Sequence, residues 1–307
     1  MHKHQNSSAK STIKSLGRAF QIGIIINIAY VLAEALAGIF TNSMGLLSDA
    51  AHNLSDVVTM ALALTAYKLS GLQTSRRFTY GYKKSTILIA FLNAIIICVA
   101  LVFIVVESIE KIAHPQPLQG NVVSIVAAIG VLINGFTAYL FVKDSKSDLN
   151  VKSVFFHMLA DTLISVGVVI SGILMYLTGW YVLDGLIGLA VAVIIVLATG
   201  DLFRATVRMV LDGVPDNVDY EEVILGCLRV DGVVDMHHLH IWALSTTENA
   251  LTSHVIIEDL SELERVKVQL KDYLKTQGIY HVTLEFETPD AYCRNTSCDA
   301  GTSDYNE

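Results

Sequence analysis

The run SDAAHNLSD, residues 48–56, places Asp49, His52 and Asp56 inside a stretch that is otherwise apolar. A second run, SVFFHMLADTLISV, carries His157 and Asp161 in the same setting. In each run His and Asp stand four apart, so on a helix both side chains lie along one face. Asp49, three before His52, shares that face. Two such helices offer two imidazoles and two carboxylates to a common centre, an N2O2 set that suits tetrahedral Zn2+. Mg2+ and Ca2+ take all-oxygen shells, and two imidazoles count against them. A lone His in an apolar helix is an ordinary packing residue, and HxxxD is a loose pattern. Two copies, with almost no other acidic residue mid-helix, argue for a site, because ionisable groups at membrane depth are rare and face a bundle interior or a pathway. Four ligands close the tetrahedron. Asp49, Glu34 and Asp184 are left to line an access route or to support the ligands, and Asn93 and Asn134 to hydrogen-bond between helices.

The elements that must position these residues follow from composition. Of 307 residues, 53% are apolar and 16% charged, where a soluble domain carries about a quarter charged residues. The apolar residues gather in six blocks near 19–40, 44–68, 85–109, 121–142, 153–177 and 181–203. Each reaches or approaches the roughly 20 residues that cross a bilayer. The polar start, MHKHQNSSAKSTIKSLGR, has no small-residue cleavage pattern after it, so the first block is expected to stay in the protein. Lys and Arg number four in residues 1–18, five in 68–84 and three in 143–152, against one in the three connections on the other side. That asymmetry puts both ends and the longer connections in the cytoplasm. The net charge of −8 is the wrong sign for a nucleic-acid partner.

Beyond Asp212 the composition becomes that of a mixed soluble domain. NVDYEEVILGCLRV reads as a helix, VVDMHHLHIWAL and NALTSHVIIED as strands, ERVKVQLKDYLKTQ as a helix capped by Asp259 or Ser261 and stopped by Gly278, and YHVTLEFE as a third strand. The order α-β-β-α-β predicts a small sandwich with both helices on one face of the sheet. Strict alternation puts His238 and His240 on one face of the first strand and His237 on the other, and groups His281, Glu285 and Glu287 on the third. His2 with His4, and Cys293 with Cys298, are further candidate ligands at the two ends. A cysteine pair on the reducing side is not expected to form a structural disulfide.

SMGLLSDAAHNLSD, FTYGYKKSTILIAFLNA, SVFFHMLADTLISVGVVI and MHHLHIWAL together give the sequence a close resemblance to the cation diffusion facilitator family, in its zinc-transporting branch. The resemblance runs from the first span to the last strand. It implies a homodimer of subunits with six transmembrane helices and a C-terminal cytoplasmic ferredoxin-like domain that binds metal, and export of Zn2+ in exchange for protons. His52, Asp56, His157 and Asp161 fall on the family's transport-site positions, and His237, His254 and Glu287 lie nearest its cytoplasmic metal pattern. The connection VKDSKSDLN lacks the His-rich run that many members carry there. The expected division is a tail over 1–18, six spans over 19–212, the cytoplasmic metal-binding domain over 213–290 and a tail over 291–307. The expected setting is the cell (inner) membrane, an organelle membrane being the alternative.

Other readings remain beside this one. A broader divalent-metal antiporter for Cd2+, Co2+ or Mn2+ would use the same ligands. An intramembrane metalloenzyme would need a base-plus-ligand motif such as HExxH, which the chain lacks, so no enzyme is expected. A metal sensor with the spans as mere anchors would not need His and Asp inside them. Zn2+ is thus expected both as substrate and as a regulatory ligand of the soluble domain.

Overall fold

The computed structural model describes the backbone of residues 2–40, 44–115 and 121–290. Within these it describes the side chains except those of 2–16, 38, 44–49, 51, 52, 55, 121–127, 168, 171, 172, 175, 176 and 184. The chain forms two compact units, Met1–Thr206 and Val207–Glu307.

The first unit is helical: α1 (His2–Phe40), α2 (Met44–Ser70), α3 (Ser85–Ala113), α4 (Asn121–Phe141), α5 (Leu149–Thr178) and α6 (Leu183–Val210). Among the described residues three helices are long and apolar enough to cross a membrane, over Gly17–Ala37, Ser85–Ala113 and Gly185–Val210, and Ala128–Phe141 is a shorter apolar helix. The unit buries polar side chains among two apolar clusters, one around Phe20, Met60 and Phe141 and one around Ile97, Ile195 and Leu202, and is apolar outside. Asn27, Glu34, Asn53, Asp56, Asn93, Asn150, His157 and Asp161 are buried, while Ile25, Leu32, Phe103, Leu132 and Leu197 are exposed. Such an arrangement suits a hydrocarbon surround, where polar groups must find partners inside the bundle.

Those partners cross between helices. Asn27 on α1 donates to Thr137 Oγ1 on α4 at 3.0 Å, and Asn93 on α3 to Ser153 Oγ on α5 at 3.3 Å. Asn150 on α5 donates to the Ala63 carbonyl of α2 at 3.1 Å. The Asn93 bond is the interhelical kind expected, whereas Asn134 is buried with its carbonyl oxygen unbonded among the described residues. A side chain at Gly185 or Gly188 of α6 would run into Ser108 of α3, so glycine sets a close approach there.

The second unit holds α7 (Tyr220–Leu228), β1 (Val233–Ala243), β2 (Asn249–Ile257), α8 (Leu263–Thr276) and β3 (Ile279–Glu287). Asp219 caps α7 by accepting from the Glu222 N–H at 3.0 Å, a use of Asp that leaves one fewer orphan amide at the helix start. Gly278, at φ +76, follows the end of α8 in the left-handed conformation that suits glycine there. The sheet order is β1-β2-β3, with β1 and β2 antiparallel and β2 and β3 parallel. The parallel pair requires a crossover, which α8 supplies. Val223 and Cys227 of α7 and Val266, Leu270 and Leu274 of α8 share one core with Met236, Ile241, Leu251, Val255 and Ile279. Both helices therefore cover one sheet face.

One expectation fails. β1 does not alternate strictly: the register slips between His237, paired with His254, and His240, paired with Thr252. Three steps on β1 match two on β2, so one extra residue is bulged out. His238 takes up the irregularity with φ +48, a left-handed backbone that is uncommon for a residue with a side chain. The bulge brings the His237 and His238 rings to one place instead of opposite faces.

Candidate metal centres

The helical unit builds its centre from two elements. On α5 the four-residue spacing puts His157 and Asp161 one turn apart, and α2 brings Asp56 to them. His157 Nε2 lies 2.8 Å from Asp56 Oδ1 and 3.8 Å from Asp161 Oδ2. One ligand atom of each of the three lies within 4.8 Å of the others. All are buried, Asp56 at 0%, His157 at 3% and Asp161 at 6% exposure. Two carboxylates and an imidazole this close, away from water, hold a positive charge between them far better than they tolerate its absence.

His52 lies on α2 four residues before Asp56, but its side chain is outside the described residues, as are those of Asp49 and Asp184. Glu34 is described and has a bonding role. Its carboxylate accepts from Asn53 Nδ2 at 2.8 Å and from Tyr30 Oη at 3.1 Å. Asn53 sits next to His52 in the chain, so this bond ties α1 to the part of α2 that carries the His and Asp. Asn53 and Tyr30 were not singled out from the sequence. The signal available was one more polar residue inside SDAAHNLSD.

The soluble unit holds a second cluster on its sheet. His237 on β1, His254 on β2 and Glu287 on β3 offer ligand atoms within 4.8 Å of one another. His254 Nδ1 is 2.7 Å from Glu287 Oε1, and its Nε2 is 3.4 Å from Glu285 Oε2. His237 Nε2 and Glu287 Oε2 face each other at 3.4 Å, and among the described residues neither is hydrogen-bonded. Buried polar atoms are seldom left so, and a cation between them would satisfy both. His281 pairs with Ala250 at the other end of β3, away from this cluster. His2, His4, Cys293 and Cys298 lie outside the residues whose side chains are described.

Comparison with known proteins gives these centres a context. Residues 20–211 match the cation efflux transmembrane domain, and residues 215–288 match the cation efflux protein cytoplasmic domain. The chain is 30% identical to the cadmium, cobalt and zinc/H(+)-K(+) antiporter of Bacillus subtilis, covering 94% of this chain and 92% of the relative. It is 33% identical to the metal cation efflux system protein CzcD of Cupriavidus metallidurans over 88% of this chain and 86% of the relative. To the zinc transporter ZitB of Escherichia coli it is 29% identical, over 93% and 92%.

Proposed function

The chain belongs to the cation efflux family, and on that premise we propose that it exports Zn2+ from the cytoplasm in exchange for protons, by alternating access. The observation that carries this reading is the buried Asp56–His157–Asp161 cluster, formed between two helices of a unit with an apolar exterior. We assign the Zn2+ substrate to these three residues and His52. The six helices α1–α6 are six spans over residues 19–212. Both termini and the domain over 213–290 lie in the cytoplasm, and the relatives' bacterial origin favours the inner membrane. The working unit is a homodimer. Zn2+ at His237, His254 and Glu287 acts as a regulatory ligand, and the tails over 1–18 and 291–307 stand outside both domains.

Coupling follows from shared atoms. His157 Nε2 and Asp56 Oδ1 stand at hydrogen-bond distance, 2.8 Å, so a proton shared between them occupies atoms that the metal would use. Zn2+ requires neutral imidazole and ionised carboxylate, so it must displace that proton. Protons and Zn2+ therefore compete for the same atoms, and a pH difference across the membrane biases which cation holds the site. Open to the cytoplasm, the centre sheds protons and takes metal; open to the other side, it does the reverse.

The test is Zn2+ flux into proteoliposomes with an imposed pH gradient, repeated after collapse of the gradient. Uptake should fall to the leak level on collapse. Uptake indifferent to the gradient would overturn exchange. Relatives named for cadmium and cobalt favour a second reading, a wider metal range, and the same vesicles distinguish the two by competition of Cd2+ and Co2+ against Zn2+.

A further inference from the structure

The soluble unit's cluster has a third imidazole that its three-residue description leaves out. The ring centroids of His237 and His238 are 5.2 Å apart, those of His237 and His254 5.2 Å, and those of His238 and His254 4.9 Å, with the planes tilted by 50–60°. Three imidazoles bound to one tetrahedral ion, with nitrogens about 2.0 Å from it, hold their centroids about 5 Å apart. The observed triangle has that size on every side. We propose that His238 is the fourth ligand of the cytoplasmic site. With His237, His254 and Glu287 it completes a shell of three imidazoles and one carboxylate for a borderline divalent cation such as Zn2+.

This rests on the reading that the other three residues bind metal. Two further features support it. The bulge places the ring: without the extra residue, regular alternation would send the side chains of 237 and 238 to opposite faces. The backbone of His238 is left-handed, at φ +48, a conformation that His adopts at a cost and that clusters where a structure positions a functional group. The ligand atoms of His237, His254 and Glu287 already lie within 4.8 Å of one another, a group that does not include His238. A turn of the His238 ring about its Cβ–Cγ bond, which leaves the ring centroid nearly in place, is the movement this proposal requires.

The experiment uses full-length protein carrying Asp56→Ala and Asp161→Ala, which removes two donors of the membrane centre. One equivalent of Zn2+ is bound, its ligands are counted by X-ray absorption, and its affinity is measured against a chelating dye. His238→Asn and His238→Gly both suit a left-handed backbone, so each should fold, and either alone suffices. The expected result is three imidazoles in the background protein and two in either His238 variant, with affinity weakened by at least the roughly tenfold that loss of a supporting residue costs. An unchanged imidazole count and affinity in the His238 variants, with binding lost in His254→Ala, overturns the role of His238 and leaves the three-residue site standing. Unchanged binding in His254→Ala as well overturns both.

Discussion

His157 Nε2 and Asp56 Oδ1 meet at 2.8 Å across 101 residues of sequence and between two helices. The bond joins α2 to α5 through two ionisable groups. Under the proposed function the same contact that links the helices is the one Zn2+ and protons compete for, and their packing is coupled to which cation is bound.

Asp161→Asn should reduce Zn2+ transport at least about 100-fold, because the amide cannot supply a charged oxygen and the site must both capture and release metal. The protein should remain folded, since Asn has nearly the shape of Asp and its amide can still donate and accept hydrogen bonds. Flux in proteoliposomes, with size-exclusion elution as the folding check, measures both. A normal rate would show that Asp161 is no ligand.

His52→Asp should keep transport and loosen selectivity. The exchange turns two imidazoles and two carboxylates into one imidazole and three carboxylates, and harder oxygen donors weaken the preference for Zn2+ over Mn2+. The readout is the ranking of Zn2+, Cd2+ and Mn2+ in competition flux, and an unaltered ranking would place selectivity elsewhere.

Asn53→Ala should cost about 1–3 kcal/mol of stability, because it withdraws a hydrogen bond from a buried carboxylate. Transport should slow as well, since the Asn53–Glu34 bond ties α1 to α2 one turn from Asp56. Thermal unfolding in detergent and flux together decide this: a stability loss without any change of rate would make the bond purely structural.

Cys227 should resist alkylation until the soluble unit opens. Burial pushes its thiol up from 9.0 to about 12, and only the thiolate reacts. The sign follows from burial favouring the neutral form. Its contribution to stability is full below about pH 9, where the unfolded thiol is also protonated, and drains away as pH climbs from 9.0 towards about 12. Peptide-level maleimide labelling at pH 7.5, native against urea-unfolded, should differ by orders of magnitude at this residue.

How much of this could be read in advance depended on the range of each interaction. His157 with Asp161 is a local relation, set by the helical period, and the α-β-β-α-β order follows from alternating patterns and a glycine stop at 278. The Glu34–Asn53–Tyr30 bonds were not legible, because nothing local pairs a carboxylate on one helix with an amide on the next. Nor was the meeting of His237 with His238. Alternation assumes an unbroken ladder, and HHLH contains no glycine or asparagine to announce a left-handed residue. Six apolar blocks were legible as six helices, but α2 and α5 carry the polar residues that dilute a purely compositional signal.

The irregularity at His238 in β1 also bears on how long that strand needs to be. Met236 and Ile241 both face the core although they are five residues apart, and side chains on one face of a regular strand are separated by an even number. Removing one residue between them restores an even count. A chain shortened by deletion of His238 would therefore keep Met236 opposite Val255 and Ile241 opposite Leu251, the pairings they have now, and would shed a left-handed residue in doing so. The sheet should melt no lower than the parent's. In this strand an insertion and a histidine coincide, and a length difference of one residue is enough to separate a fold that packs from a fold that can also present a third ring.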